Sequence, residues 1–217
     1  GTNAEIRDGF DSDTTENFEL GSKLTLLGKR LQVNAAVYRV DWADIPLRVF
    51  AGKLPSQIAQ TCFFGTLVNA GEARSQGLEV ETNYQLTEGL RISLGGAYTN
   101  VELTKDFAAG GNLSGDRLPS SPDYNINLGF RYDFDLTGYA SYVQAEYAYV
   151  SEFYNRVGEL GDKGGDYGQL NMSAGISIDN FNIELFGHNL SDEDALTSVG
   201  VLEPDTRAFR LRPRTIG

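Results

Sequence analysis

A strict alternation of apolar and polar side chains runs through the stretch G-L-E-V-E-T-N-Y-Q-L, residues 77–86. Its apolar face would carry Leu78, Val80, Thr82, Tyr84 and Leu86. A period of two residues over this length predicts a β-strand with one apolar and one polar face. The same pattern recurs along the chain, in segments much longer than the usual strand of about 5–6 residues. These apolar faces point either into a protein core or into lipid.

Composition excludes several classes of protein. The chain has 217 residues, enough for one all-β domain. It has 30 acidic and 18 basic residues, and the net charge of -12 argues against nucleic acid as a partner. No apolar run approaches the roughly 20 residues of a membrane-spanning helix. The mean hydropathy of -0.30 says nothing against a membrane-spanning barrel, because alternating strands cancel in a hydropathy window.

The alternation predicts nine strands whose connections differ in length at the two ends. Eight strands occupy residues 18–26, 31–42, 69–86, 90–98, 124–134, 143–149, 170–178 and 181–185, and a ninth begins near Arg207. Short turns are predicted near residues 28, 88, 136 and 179, and long connections near residues 55, 113, 161 and 198. Transmembrane barrels have short turns at one end and long extracellular loops at the other. We therefore predict an all-β fold, an antiparallel up-and-down transmembrane β-barrel segment.

Two turns specify local conformation and register. Residues 28–29, with glycine first, predict a type II′ turn. A three-residue loop at 87–89, with Gly89 in the left-handed region, would pair Gln85 with Arg91. Apolar side chains would then meet apolar ones on the same face of the neighbouring strand.

The spacing of aromatic residues fits a membrane. Tyr124 and Phe134 stand ten positions apart on the same face of one predicted strand. At about 3.3 Å per residue and a tilt of about 40°, this spacing projects to about 25 Å, the height of the apolar band of a barrel. The residues predicted to face lipid are Tyr124, Ile126, Leu128, Phe130 and Tyr132, and those predicted to face the lumen are Asn125, Asn127 and Arg131.

Four segments resemble one known family. They read E-N-F-E-L-G-S-K at 16–23, N-A-G-E-A-R-S-Q-G-L-E-V-E at 69–81, N-L-S-D-E-D-A at 189–195 and R-L-R-P-R-T-I-G at 210–217. In this order they resemble the C-terminal barrel of TonB-dependent outer-membrane receptors. The resemblance implies a barrel of about 22 strands filled by an N-terminal plug, located in the bacterial outer membrane. It also implies import of a siderophore–iron complex, cobalamin or another scarce nutrient, with energy from an inner-membrane complex and no cofactor.

The chain departs from that family in two respects. It lacks the plug and the energy-coupling box, and a family member would continue its last strand beyond Gly217 to a terminal aromatic residue. We therefore expect residues 1–217 to be the C-terminal portion of the barrel, without the plug and without the end of the last strand. Both edges of such a sheet need partner strands, because lipid does not tolerate unpaired backbone groups.

The chemically reactive residues indicate structural roles. His188 is the only histidine, and although Ser191 and Asp192 are close in sequence, a catalytic triad requires convergence in space. The single cysteine, Cys62, has no activating partner and is expected to be a half-cystine or a buried thiol. No cysteine–histidine metal constellation is present in the sequence. We predict that the chain is not an enzyme and assign it no metal site. The acidic run D-S-D-T-T-E at residues 11–16 could ligate calcium, but it lacks the spacing of a calcium loop and is expected to be a solvated loop.

Two groups of charged residues, the carboxylates of the strands and the arginines near the end of the chain, each allow two interpretations. Lumen-facing carboxylates would bind arginines of a plug or water, although paired carboxylates can also be catalytic; they are Glu79, Glu81, Glu146 and Glu184. A group of arginines near the end would pair with these lumen acids, or attract an anionic ligand or lipopolysaccharide phosphate; it comprises Arg207, Arg210, Arg212 and Arg214.

The longest connection, residues 43–68, is the candidate ligand site. It combines apolar and aromatic groups with a few cations, which suits an amphipathic, anionic metal chelate. The candidate binding residues are Arg48, Lys53, Phe63 and Phe64, with Arg117 and Arg156 from neighbouring connections. The alternative is that this connection packs on the neighbouring loops and only shields the opening of the barrel.

The resemblance and the residue pattern together favour a receptor that imports a scarce nutrient, foremost a ferric siderophore or another iron chelate. The alternatives are an outer-membrane porin, a barrel enzyme, or a soluble β-sheet binding module. The expected partners are membrane lipid and lipopolysaccharide, the metal chelate, and the TonB complex through the plug.

Overall fold

The computed structural model of the protein describes residues 11–50, 65–69, 71–107, 111–202 and 205–217. Within these ranges every regular element is a β-strand. No helix of the described chain is long and apolar enough to cross a membrane.

Fifteen strands follow one another along the described residues. In chain order they are β1 (Thr14–Leu26), β2 (Leu31–Ala43), β3 (Pro46–Phe50), β4 (Gly65–Asn69), β5 (Glu72–Gln85), β6 (Leu90–Leu103), β7 (Tyr124–Leu136), β8 (Tyr139–Val150), β9 (Phe153–Arg156), β10 (Leu160–Gly164), β11 (Tyr167–Ile178), β12 (Phe181–His188), β13 (Leu196–Leu202), β14 (Asp205–Arg210) and β15 (Thr215–Ile216). Nine of them form one sheet in the order β1-β2-β5-β6-β7-β8-β11-β12-β15. The sheet is antiparallel and open at β1 and β15, which confirms the predicted fold class.

The register across the 87–89 loop is as predicted, but the conformation of Gly89 is not. Gln85 pairs with Arg91, so apolar residues of β5 meet apolar residues of β6. Gly89, however, does not have a positive φ. A Cβ atom at this position would overlap the carbonyl oxygen of Asp133 on β7. The close approach of β7, rather than a left-handed turn, therefore requires the glycine.

The turn between β1 and β2 is wider than the predicted type II′ turn. The last pair before it is Leu26 with Leu31, so residues 27–30 leave the ladder. Residues 27–29 have φ values of 54°, 66° and 72°, whereas a type II′ turn has one central residue with positive φ. A run of left-handed residues closes this loop without changing the register of the two strands.

Within the described part of the chain, no protein core packs against the apolar face of the sheet. On β7, Tyr124, Leu128 and Tyr132 are 49%, 46% and 42% exposed. Other exposed apolar residues on this face include Phe18, Leu20, Val37, Leu78, Leu94, Tyr147, Phe181 and Leu185. Soluble monomers rarely expose so large an apolar surface. This face suits contact with lipid, and β7 carries its apolar residues on one face and Asn125, Asn127 and Arg131 on the other, in the predicted pattern.

Aromatic pairs border this apolar face at both ends. Tyr98 and Tyr124 lie with ring centroids 5.2 Å apart near one end of the strands. Tyr132 and Phe134 stack at 5.4 Å near the other end. Tyrosine at these levels keeps its ring in the apolar band and its hydroxyl near the headgroups, as in the aromatic girdles of membrane barrels.

The opposite face of the sheet is polar. It carries a depression of about 420 Å³ with charged and amide side chains along it, among them Glu19, Lys23, Asn34, Glu79 and Glu81. This is the lumen face, and Glu79 and Glu81 lie on it as predicted.

Tyr38 lies flat across the lumen face. Its hydroxyl oxygen is 2.9 Å from the hydroxyl of Thr99 on β6, although Tyr38 itself is on β2. Between them lies Gly77 of β5, where a Cβ atom would come within 2.7 Å of the Tyr38 hydroxyl. The missing side chain of Gly77 thus lets one ring span three strands.

The nine-stranded sheet forms the wall of the barrel segment. Its ninth strand begins later in the chain than predicted. Arg207 belongs to β14, which pairs with β13 in a hairpin outside the main sheet. The wall resumes with β15, where Ile216 pairs with Gly187 of β12. Pro213 lies between β14 and β15 and has no backbone N–H to donate to a ladder, so the two segments are separate strands.

Candidate functional site

The four long connections lie at the same end of the sheet. They comprise residues 44–71, 104–123, 151–166 and 189–214, while the connections at the other end comprise residues 27–30, 86–89, 137–138 and 179–180. This confirms the predicted asymmetry, and long connections of a membrane barrel are extracellular. Hairpins form parts of three of them, β3–β4, β9–β10 and β13–β14, where the sequence pattern had predicted irregular loops.

A small apolar cluster joins the first three connections to the sheet. Ile45 of the first connection and Leu103 of β6 are each 1% exposed. Phe107 of the second connection and Val157 of the third pack against the same cluster. Leu103 is on the lumen face of β6, opposite in facing to the lipid-exposed residues of that strand. The first three connections therefore pack against the lumen side of β6 at this end of the sheet.

Arg117 ties the second connection to the third. Its Nη2 atom donates hydrogen bonds to Asp123 at 2.6 Å and to the carbonyl oxygen of Ser121 at 3.0 Å. Its Nη1 atom lies 3.5 Å from a carboxylate oxygen of Glu159, and its carbonyl oxygen accepts the backbone N–H of Gly158 at 2.9 Å. Charge-assisted bonds of this kind are the stronger ones, so Arg117 fixes the spacing of the two connections.

Backbone hydrogen bonds extend this surface to the fourth connection. Ser120 donates to the carbonyl of Tyr154 at 2.7 Å, and Gly165 donates to the carbonyl of Leu196 at 2.9 Å. Beside them, the hydrogen bond from Lys163 to Glu152 raises the pKa of the lysine above its ordinary value. The contribution of this hydrogen bond to stability is present at neutral pH and is lost as the pH rises through the raised pKa of Lys163.

Asn189 seats the fourth connection on the sheet. It is 1% exposed and has a φ of 51°. Its side-chain amide donates to the carbonyls of Glu193 at 2.9 Å and Arg212 at 3.0 Å, and its amide oxygen accepts the N–H of Glu193 at 2.9 Å. Its backbone N–H donates to the side chain of Asn171 on β11 at 2.9 Å. Asn189 therefore joins both ends of the connection to the wall, which gives the N-L-S-D-E-D-A segment a structural role.

Asn189→Ala is expected to destabilise the intact receptor by about 1–3 kcal/mol, because the carbonyl groups of Glu193 and Arg212 lose the donor that the buried Asn189 supplies and alanine is disfavoured in the left-handed region. The free energy of unfolding in lipid vesicles measures the loss. Asn127→Ala, on the exposed lumen face of β7, is the matched control and should change little. Equal stability of the two variants would refute the role of Asn189.

The six predicted ligand-binding residues fall in three of the connections. Lys53, Phe63 and Phe64 lie outside the described residues. Arg48 belongs to β3, where its backbone pairs with that of Leu67. Arg156 is exposed on β9, close in sequence to the turn that Arg117 contacts. The ligand contacts of all six stay a prediction.

The residues weighed as a catalytic triad have separate partners. Ser191 donates to the carbonyl of Gly168 at 3.4 Å. Asp192 accepts the backbone N–H of Arg214 at 3.0 Å, and the His188 ring lies 5.1 Å from that of Phe186. Among the described residues, no group of three or more metal-ligating side chains occurs. Cys62 lies outside the described residues.

The terminal arginines pair with acids of their own connection. Arg210 donates to Asp194 at 2.6 Å, and Arg214 lies 3.9 Å from Asp192. The prediction that these arginines pair with lumen carboxylates is therefore wrong for both. The reason is that β14 lies in the fourth connection, beside residues 192–194, rather than in the wall.

Comparison with known proteins identifies the family of the chain. The family described as "TonB dependent receptor-like, beta-barrel" matches residues 1–190. The metal-pseudopaline receptor CntO of Pseudomonas aeruginosa is 32% identical over 126 residues, which are 58% of this chain and 16% of CntO. The probable TonB-dependent siderophore receptor PiuA of Acinetobacter baumannii is 30% identical over 97 residues, 45% of this chain and 11% of PiuA. The chain thus spans a small part of the length of these relatives.

A solved structure has the same fold. The ferric yersiniabactin uptake receptor FyuA of Yersinia pestis superposes with a TM-score of 0.75 at 23% identity, over 94% of this chain and 29% of that chain. The match to the family covers most of the sequence, and the facing of the strands and the asymmetry of their connections agree with it. The chain belongs to the TonB-dependent receptors and forms part of the outer-membrane β-barrel of such a receptor.

Proposed function

We propose that the receptor containing this chain imports an anionic metal chelate of the ferric siderophore class, with energy supplied through TonB. One observation carries the proposal: the cluster around Ile45 and the bonds of Arg117 join the long connections at one end of the sheet into a single surface. A passive porin requires an open mouth, whereas an importer requires a surface that captures its cargo. The names of CntO and PiuA, a metal-pseudopaline receptor and a siderophore receptor, support the same class of cargo.

The first connection supplies the proposed capture residues. Arg48, Lys53, Phe63 and Phe64 combine cationic and aromatic groups that attract an anionic, partly apolar chelate. Arg156 is an exposed cation of the neighbouring third connection. The guanidinium of Arg117 is occupied by acids of the protein, so we assign it to holding the connections in place.

The remaining surfaces have partners of other kinds. The apolar outer face of the sheet suits lipid tails, with lipopolysaccharide in the outer leaflet beside the extracellular ends of the strands. The TonB complex would act on the receptor through a plug in the lumen. The receptor works by binding and gating and performs no catalytic step.

Growth of the source bacterium under iron limitation tests this function. Deletion of the complete gene is expected to abolish growth and radioactive iron uptake on one class of ferric chelate, and a plasmid copy should restore both. Uptake should also stop in a strain without TonB, because import is energised. Uptake that continues without TonB would show a passive porin instead, and wild-type growth of the deletion strain on every chelate would refute the proposal.

A further inference from the structure

A row of lumen-facing residues crosses the sheet near its short-loop end. Gln85, Arg91, Arg131 and Gln144 pair in succession across β5, β6, β7 and β8. Arg91 and Arg131 are therefore directly opposite each other. Like charges in directly opposite positions destabilise a sheet, and this row of four residues includes no carboxylate. The repulsion is offset only by anions that lie beside the two arginines from outside this row.

The two guanidinium groups differ in their protein partners. Arg131 donates to Asp133 at 3.0 Å and to Gln144 at 2.9 Å. Arg91 donates to the side-chain oxygen of Gln85 at 3.3 Å, and no carboxylate among the described residues pairs with it. One positive charge of the pair is thus left uncompensated on the lumen face.

The surroundings hold the pair in a defined orientation. The Cζ atom of Arg131 lies 4.1 Å from the centre of the Tyr142 ring. That ring crosses Gly175 of β11, where a Cβ atom would overlap it. On the other side, the side-chain nitrogen of Gln85 donates to the carbonyl of Thr87 at 2.8 Å, which leaves the side-chain oxygen of Gln85 to accept from Arg91. Both arginines are therefore preorganised before any anion binds.

We propose that Arg91 and Arg131 bind a carboxylate side chain carried by another part of the same receptor, inside the lumen. Adjacent guanidinium groups match the two oxygens of a carboxylate and form strong, directional bonds with it. The chain corresponds to 29% of the length of FyuA, and large barrels of this transporter class have a filled lumen. The rest of the receptor therefore supplies the occupant. The contact does not depend on the identity of the cargo.

The sign of one stability change tests this site in the intact, detergent-purified receptor. Without an anion, Arg91→Gln relieves repulsion and raises the midpoint of thermal unfolding. With a bound carboxylate, the same variant loses an ion pair and lowers the midpoint, by about 1–3 °C. In phosphate-free buffer we expect a lower midpoint for Arg91→Gln than for the wild type. Arg91→Lys should unfold at a midpoint between the two, because lysine keeps the charge but cannot bind both carboxylate oxygens as the planar guanidinium does.

Asn83→Gln is the control, because Asn83 is a neutral, exposed residue on the lumen face of β5 that pairs with Gln32 and Ser93; its midpoint should not change. A raised or unchanged midpoint for Arg91→Gln would overturn the proposal. If inorganic phosphate raises the midpoint of the wild type but not of Arg91→Gln, the site binds a diffusible anion, and the proposed occupant is wrong. The readout is stability alone, so failure of the import experiment leaves this test unaffected.

Discussion

Replacing residues 51–64 with an Asn-Gly turn is expected to abolish chelate binding and uptake by the intact receptor while the barrel still assembles. Phe50 and Gly65 form the last pair between β3 and β4, and Asn-Gly closes such a hairpin. The replacement removes Lys53, Phe63 and Phe64 together. Loss of a single aromatic anchor commonly costs about 2 kcal/mol of binding free energy, so the combined loss should exceed the range of an uptake assay.

Two further variants separate capture from shielding. Deletion of residues 48–64 also removes Arg48 and should abolish binding equally. A tip of the same length and composition in scrambled order should also fail to bind if specific contacts matter, whereas a mere shield would tolerate it. Assembly is followed by heat-modifiable migration on gels. Unaltered affinity and uptake in all three variants would exclude this connection from the site and leave the connections with Arg117 and Arg156.

Leu128→Arg is expected to lower the free energy of unfolding by about 2–4 kcal/mol, the cost of an arginine on the lipid face near the midplane of a barrel. Leu128 lies between Leu94 of β6 and Tyr147 of β8 on that face. The neighbouring residue Asn127 faces the lumen, so Asn127→Arg should cost little. Urea unfolding of the receptor in lipid vesicles measures both variants. Ile126→Arg is expected to resemble Leu128→Arg.

Spin labels provide an independent check of this facing. A label at residue 128 should collide with lipid-soluble oxygen, and a label at residue 127 with a water-soluble quencher. The reverse pattern, or equal costs for the two arginine variants, would contradict the membrane orientation of β7.

The wall of the barrel could be predicted because its facing pattern determines its pairing. A slip of one residue between β5 and β6 would turn Tyr84 from lipid to lumen, and every other residue of the strand with it. The pairing of Gln85 with Arg91 was therefore predictable even though the conformation of Gly89 was not. The latter depends on Asp133, which is distant in sequence and approaches only in the folded sheet.

The connections could not be predicted, because long-range contacts without periodicity hold them together. Nothing in the local sequence pairs Arg117 with Glu159 or buries Ile45 against Leu103. The alternation near Arg207 led to the wrong prediction of a wall strand. A period of two residues occurs both in a hairpin within a connection and in a strand of the wall, so it does not distinguish them. Pro213 was the available signal that these segments are separate.

The ion-pair partners of charged residues in the candidate site could not be predicted from the sequence either. The sequence shows several arginines near the end of the chain, but the acids that they pair with depend on which strands become neighbours. Arg210 and Arg214 bind Asp194 and Asp192 because the fourth connection folds back on itself. The role of Asn189 was likewise visible only in part, since the sequence shows the motif and only the structure shows the hydrogen bonds of its side chain and backbone N–H.

The position of Tyr38 across Gly77 has a consequence for the width of the passage. A tyrosine that stands upright on the inner wall would project toward the axis of the barrel. Tyr38 and Tyr142 instead lie along the wall, each over a glycine of the adjacent strand, Gly77 and Gly175, as aromatic rings do when they cover strand glycines. Their rings add packing between strands without taking clearance from whatever fills or crosses the lumen. The clearance above the wall at these two positions thus depends on two missing side chains.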